Sequence, residues 1–295
     1  MAKFSEETFN NWRMPPSTTE ENKLQNAEKL VREAIAEDKT LNKFSITVFG
    51  QGSYANDTNV RLNSDIDINV RLSDTIYVDL PKNKTYEDLG YSDSSYTFAE
   101  YKLAVFNALV NKFGSREIVW NNKCLTVKQS PTRVETDVVP TFKLIRHDDN
   151  GSKHIGVRFI SEEKKQITGY PLQHIENARG KNAATQKRFK RLTRIFRRVR
   201  YKMIEDNISV SNNITSFLLE CLLWNVPDNI FNDNDTWIER TRQGIIYLYQ
   251  NTTEDEKCKH WGEVSELLYL FVHRKWSRVE VNNYLVQMWN YLQFT

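Results

Sequence analysis

The sequence predicts an α+β fold in two parts, a mixed half of strands and helices followed by an α-helical half. Three observations predict it. Apolar residues alternate with polar ones through 44–49 and again from residue 66, the period of a half-buried strand. Short β-like runs then crowd residues 116–160, separated by turn signals. After Tyr170-Pro171 apolar residues recur at three- and four-residue spacing almost to the end, the period of a helix face. The expected division is therefore 1–165 and 166–295.

The elements follow in order. Residues 18–38 carry Leu24, Ala27, Leu30, Val31, Ala34 and Ile35 on one helical face, a helix expected to lie along the core. Thr18-Thr19-Glu20-Glu21 supplies a capping residue and first-turn acids. Strands are expected at 44–49 and 66–72. Helical spacing returns over 96–113 through Phe98, Tyr101, Val105 and Leu109, with Gly114 as its stop. Further strands are expected at 116–120, 123–129, 132–139, 141–146 and 154–160. Ser130-Pro131 and Asp148-Asp149-Asn150-Gly151 are the turns among them.

Composition narrows the function classes. At 39% hydrophobic and 27% charged, the 295 residues suit a globular chain long enough for two lobes. No apolar run reaches membrane-spanning length, and the first residues lack the basic-then-apolar layout of a secretory signal. Cys124, Cys221 and Cys258 are odd in number and far apart, which suits a reducing cytoplasm better than a disulfide framework. Five scattered histidines, without paired zinc-ligand spacing, receive no catalytic role. A net charge of +3 selects no partner by itself.

Chemistry concentrates in three segments. In Ser64-Asp65-Ile66-Asp67-Ile68-Asn69-Val70, strand alternation points Asp65 and Asp67 one way and Ile66, Ile68 and Val70 into a core. Two carboxylates held that close repel unless a divalent cation sits between them. Upstream, Gly50-Gln51-Gly52-Ser53 ends a strand, and its small residues let backbone N–H groups and a hydroxyl approach a phosphate. Ser53 also fits a simple helix N-cap, a role compatible with phosphate binding. The third segment is Arg133-Val134-Glu135-Thr136-Asp137-Val138-Val139-Pro140, where alternation puts Glu135 and Asp137 on one face. Asp137 is preferred as third carboxylate because it lies nearer the strand end. Phosphate loop plus carboxylates is the minimum equipment for phosphoryl-type transfer to a nucleotide.

Together, Gly50-Gln51-Gly52-Ser53-Tyr54-Ala55-Asn56, the Asp65-Ile66-Asp67 run and Glu135-Thr136-Asp137-Val138-Val139-Pro140 resemble the CD-NTases. These are bacterial cyclic-oligonucleotide synthases related to cyclic GMP-AMP synthase and oligoadenylate synthetase. The resemblance spans nearly the whole chain, including Trp12-Arg13-x-Pro15-Pro16, and Gln51-Gly52-Ser53-Tyr54 with Asn59-Val60-Arg61 is most similar to clade E. It implies a bilobal polymerase-β-like nucleotidyltransferase core closed by the helical lobe. It also implies two Mg²⁺ ions (Mn²⁺ as substitute) held by Asp65, Asp67 and Asp137, with Gly52 and Ser53 gripping the donor triphosphate. In Lys190-Arg191-Leu192-Thr193-Arg194-Ile195-Phe196-Arg197, Arg197 stands where the family often has a phosphate-binding Lys. Ser216 matches a hydroxyl near the same phosphates, and Asn182 is a candidate for facing a nucleobase.

The implied activity joins ribonucleoside triphosphates into a cyclic dinucleotide or short cyclic oligonucleotide, releasing pyrophosphate. The product would be a second messenger in anti-phage signalling, read by a separate receptor effector, and made by a cytoplasmic monomer needing neither membrane nor nucleic acid. The resemblance leaves purine and pyrimidine products, ring size and linkage open. One alternative is a linear nucleotidyltransferase modifying RNA, protein or a small molecule. Another is a nucleic-acid-binding module using the basic helix at 179–202, where Lys187, Lys190, Arg191, Arg194 and Arg198 flank an apolar stripe. For that basic face the plain alternative is a solvated helix surface. The tryptophans at 224, 237, 261, 276 and 289 are expected in the core.

Overall fold

The computed structural model describes residues 2–61, 65–272 and 274–295; Ser64 and His273 lie outside them. The chain begins with helices α1 (Glu6–Trp12) and α2 (Thr18–Glu37), strand β1 (Ile46–Gln51) and the short α3 (Gly52–Ala55). There follow β2 (Ile66–Asp79), α4 (Phe98–Phe113), β3 (Ile118–Trp120), β4 (Leu125–Val127), β5 (Thr136–His147), β6 (Lys153–Ile160) and β7 (Gln166–Gly169). The remainder is α5 (Pro171–Ala184), α6 (Arg188–Glu205), α7 (Ser216–Trp224), α8 (Asp228–Asn232), α9 (Trp237–Asn251), α10 (Asp255–Cys258) and α11 (Arg278–Leu292). Two compact units result. One holds residues 17–55 and 64–172; the other holds 1–16, 56–63 and 173–295.

The first unit is a mixed sheet in the order β1-β2-β5-β4-β3, with β6 paired to β5 and β7 to β6. Only β2 and β5 run parallel; the other pairs are antiparallel. Ile66, Ile68, Val70 and Leu72 of β2 are fully buried, in one cluster with Leu24, Ala27 and Val31 of α2 and Tyr101, Val105 and Leu109 of α4. The two helices thus cover one face, and Tyr101 Oη donates to the Val70 carbonyl at 3.0 Å. The other face of β2 carries Asp67, Asn69 and Arg71. Alternation in the sequence therefore decides which side chains meet the helices and which remain for chemistry.

Local details depart from expectation. The α2 cap is Ser17, one residue earlier than expected, in a capping box with Glu20. The runs expected at 132–139 and 141–146 join into the single strand β5, passing through Pro140. Pro140 pairs with Val70 of β2; on the other side, β4 pairing ends at Val138 and β6 pairing begins at Phe142. A missing N–H is tolerated in that gap because no ladder crosses it. Asp137 consequently lies at the start of its strand, not near the end.

The helical unit encloses Phe189, Leu192, Ile195, Phe196 and Val199 of α6, packed with α7, α9 and α11 residues. Its membership corrects the expected division at 165/166, since residues 1–16 and 56–63 belong to it. The physical reason is α1, which sequence spacing does not announce. Phe9 is fully buried in this core, with Phe4 and Trp12 against it. Glu6 also accepts the first amides of α9, from Trp237 at 2.7 Å and Ile238 at 3.0 Å, a carboxylate at a helix N-terminus. Trp237, Trp261 and Trp276 are buried and Trp224 and Trp289 pack against the core, as expected for core tryptophans.

Candidate active site

Two of the three carboxylates stand side by side on the sheet face opposite α2 and α4. Asp67 and Asp137 are register partners on the parallel strands β2 and β5, so their side chains leave neighbouring strands on the same side. Asp65 is exposed immediately before β2, and the amide of Ile66 donates to the Glu135 carbonyl at 3.3 Å. Glu135, the rival on that segment, is exposed and precedes the strand.

Gly52 closes the floor. Its φ is +64°, and a Cβ there would collide with Asp67 Oδ2 and stand 3.2 Å from Asp67 Cγ. Only glycine satisfies both the left-handed backbone and the close carboxylate. Ser53 is the second residue of α3, inside the helical turn rather than capping it.

Polar neighbours hold this face in place, and sequence reasoning missed them. Thr126 Oγ1 donates a short hydrogen bond to Asp137 Oδ1. Asn121 Nδ2 in turn donates to Thr126 Oγ1 at 2.7 Å, which turns the threonine proton toward the carboxylate. Buried Asn69 donates to Gln51 Oε1 at 3.1 Å and accepts from Thr141 Oγ1 at 2.8 Å. Burial, and next the Asp137 carboxylate, push the Cys124 thiol up to about 11, so it remains a protonated bystander. Thr126 is indistinguishable in sequence from any strand threonine; only its register against Asp137 reveals it.

As a metal site the donor set is all oxygen, suited to a hard divalent cation. Among the described residues no three acid, imidazole or thiol groups are gathered around one point. The fit rests on two carboxylates in register, a third just ahead of β2, and the glycine that leaves room for Asp67 Oδ2.

In the helical unit, Arg197 is 3% exposed and its buried Nε has no hydrogen-bond partner among the described residues. Lys190 and Arg194 are also buried, whereas Lys187 is exposed and Arg191 and Arg198 are half-buried, so this basic face is solvated only in part. Ser216 opens α7, its hydroxyl 3.2 Å from Tyr201 Oη. Asn182 Oδ1 accepts the Lys190 amide at 3.2 Å. A buried group that sequence reasoning left without a role joins them. Glu220 accepts from His174 Nε2 at 3.1 Å and from Thr58 Oγ1 at 3.1 Å. Burial raises the Glu220 carboxyl, but His174, Arg197 and Thr58 outweigh it, leaving it below its ordinary value.

Comparison with known proteins gives the context. Residues 176–293 match the cGAS/DncV-like nucleotidyltransferase C-terminal helical domain. The chain is 58% identical over 295 residues to the cyclic dipyrimidine nucleotide synthase CdnE of Cecembia lonarensis, covering 100% of both. It is 35% identical to the cyclic dipurine nucleotide synthase of Elizabethkingia meningoseptica, covering 99% of each. The solved Elizabethkingia meningoseptica CdnE cyclic dinucleotide synthase with GTP and Apcpp superposes with a TM-score of 0.82 at 33% identity. That match covers 99% of this chain and 100% of the other.

Proposed function

The chain belongs to the CD-NTase family of cGAS/DncV-like nucleotidyltransferases, and on that premise we propose that it joins two ribonucleoside triphosphates into a cyclic dinucleotide, releasing pyrophosphate. The observation that carries this is the Asp67–Asp137 register with Gly52 beneath it. Asp65, Asp67 and Asp137 would hold two Mg²⁺ ions, which neutralise triphosphate charge and acidify the acceptor hydroxyl. Thr126 holds one oxygen of Asp137 and would orient this carboxylate for a divalent cation. Gly52 and Ser53 let the backbone approach the donor phosphates closely. Arg197, with its unpartnered Nε, and the Ser216 hydroxyl are the phosphate contacts of the helical unit, and Asn182 is a polar candidate for the base.

Pyrimidines are the favoured substrates, because the relative sharing 58% of residues over its whole length is a dipyrimidine synthase. The product would serve as a second messenger in cytoplasmic anti-phage signalling, read by a separate receptor effector. Three free cysteines are compatible with that compartment. Incubating the protein with Mg²⁺ and the four ribonucleoside triphosphates, then analysing the product by mass spectrometry, tests the reading. A phosphatase-resistant cyclic dipyrimidine is expected, absent with Asp67→Asn. Linear products alone would transfer the protein to the non-cyclising nucleotidyltransferases.

A further inference from the structure

Arg13, Lys187, Lys190, Arg191 and Arg194 line a cavity of about 320 Å³ in the helical unit, a volume at the small end for ligand pockets. Asp57 is the one acid in the lining, and it is already taken. Arg194 Nη2 donates to its Oδ1 at 2.5 Å and to its carbonyl at 2.7 Å. The other four cations have no acid within the cavity. Lys190 is the exceptional one. It is 6% exposed, yet its ammonium makes no hydrogen bond or ion pair among the described residues.

A lysine this enclosed whose ammonium has no partner is costly, since it gives up part of its water and receives no acceptor in return. Burial first, then Arg179 and Arg194, lower its proton affinity against the pull of Asp57 and Glu220. Arg13 is lowered likewise, by burial and then by Arg191. Arg13, Lys190 and Arg194 are therefore each strained, first by burial and then by like-charged neighbours. An anion entering the cavity would relieve them together. The Asn182 amide oxygen is spent on the Lys190 backbone, which leaves its NH₂ as a neutral donor beside the ammonium.

We infer that this cavity binds a polyphosphate anion, free or as the phosphate chain of a small nucleotide, with Lys190 as its buried contact. Several phosphates suit several unpaired cations better than one does. A nucleic-acid strand is gripped by exposed cations that track its backbone, whereas Lys190 is reached only by a group that enters. Of the residues proposed for the nucleotide, Asn182 lines the cavity and Arg197 and Ser216 do not; the inference does not rest on the carboxylate site.

Calorimetric titration with inorganic tripolyphosphate, in EDTA and without divalent cations, tests it. One saturable site is expected, weakened about tenfold or more in Lys190→Met and retained in Asp67→Asn. Lys190→Met should melt no lower than the native protein, because it deletes an unpaired charge and keeps the side-chain length. Should that variant not fold, Arg191→Ala supplies the same comparison with a smaller loss. Binding that never saturates, or that survives Lys190→Met unchanged, overturns the inference. So does displacement of tripolyphosphate by a short unphosphorylated oligothymidylate, which would mark a strand-binding surface.

Discussion

At Gly52 a single missing methyl group decides whether the carboxylate pair can form. The positive φ disfavours any L side chain, and the Asp67 carboxylate occupies the space a Cβ requires. Gly52→Ala should therefore cost about 1–3 kcal/mol of stability and at least about a hundredfold in turnover, because a displacement near 1 Å is enough for such a loss. Steady-state pyrophosphate release together with a melting curve measures both; near-native turnover in a folded Gly52→Ala protein would defeat the account. Sequence alone points to the glycine and to both aspartates, because alternation and small-residue spacing are local signals. It does not point to Thr126, whose role exists only through pairing with a strand placed later in the chain.

Elements show where local signals stop. Strand β5 was legible as two runs because Pro140 reads as a breaker; the gap between β4 and β6 that tolerates it is a property of the sheet. Helix α6 was legible from its apolar stripe, but its opposite face was not. Lys190 and Arg194 fit a solvated face in sequence but are buried, Arg194 with its guanidinium on Asp57 of a distant segment. Where α7 brings Glu220 to α5 and that segment, the lowered carboxyl gives a pH dependence with a definite sign. A depressed carboxyl stabilises fully above its ordinary value of 4.5, and that contribution fades as pH falls through the folded value. Glu220→Gln, which leaves His174 and Arg197 without their anion, should lose about 3 kcal/mol near neutrality. The difference from the native protein should shrink below pH 4.5. Denaturant midpoints across pH check this; a gap that widens on acidification contradicts it.

For the whole molecule, the division into units does not follow chain order, and composition cannot reveal that. The helical unit is assembled from three separate stretches, and its N-terminal one contributes Phe9 at 0% exposure. From the sequence, α1 is seven residues with one fully buried aromatic, too short to generate a periodic signal. Its place is set instead by what it fills, the space beside α6 and α9, and by Glu6 on the first amides of α9. Phe9→Ala should then destabilise the helical unit by about 3–5 kcal/mol, although the residue lies far along the chain from most of what it supports. Hydrogen exchange locates the effect: amides of α6 and α9 should exchange faster in the variant. Unchanged protection in both helices would mean that α1 merely rests on the surface. Faster exchange there would show that the first residues of the chain complete a core whose other members begin more than a hundred positions later.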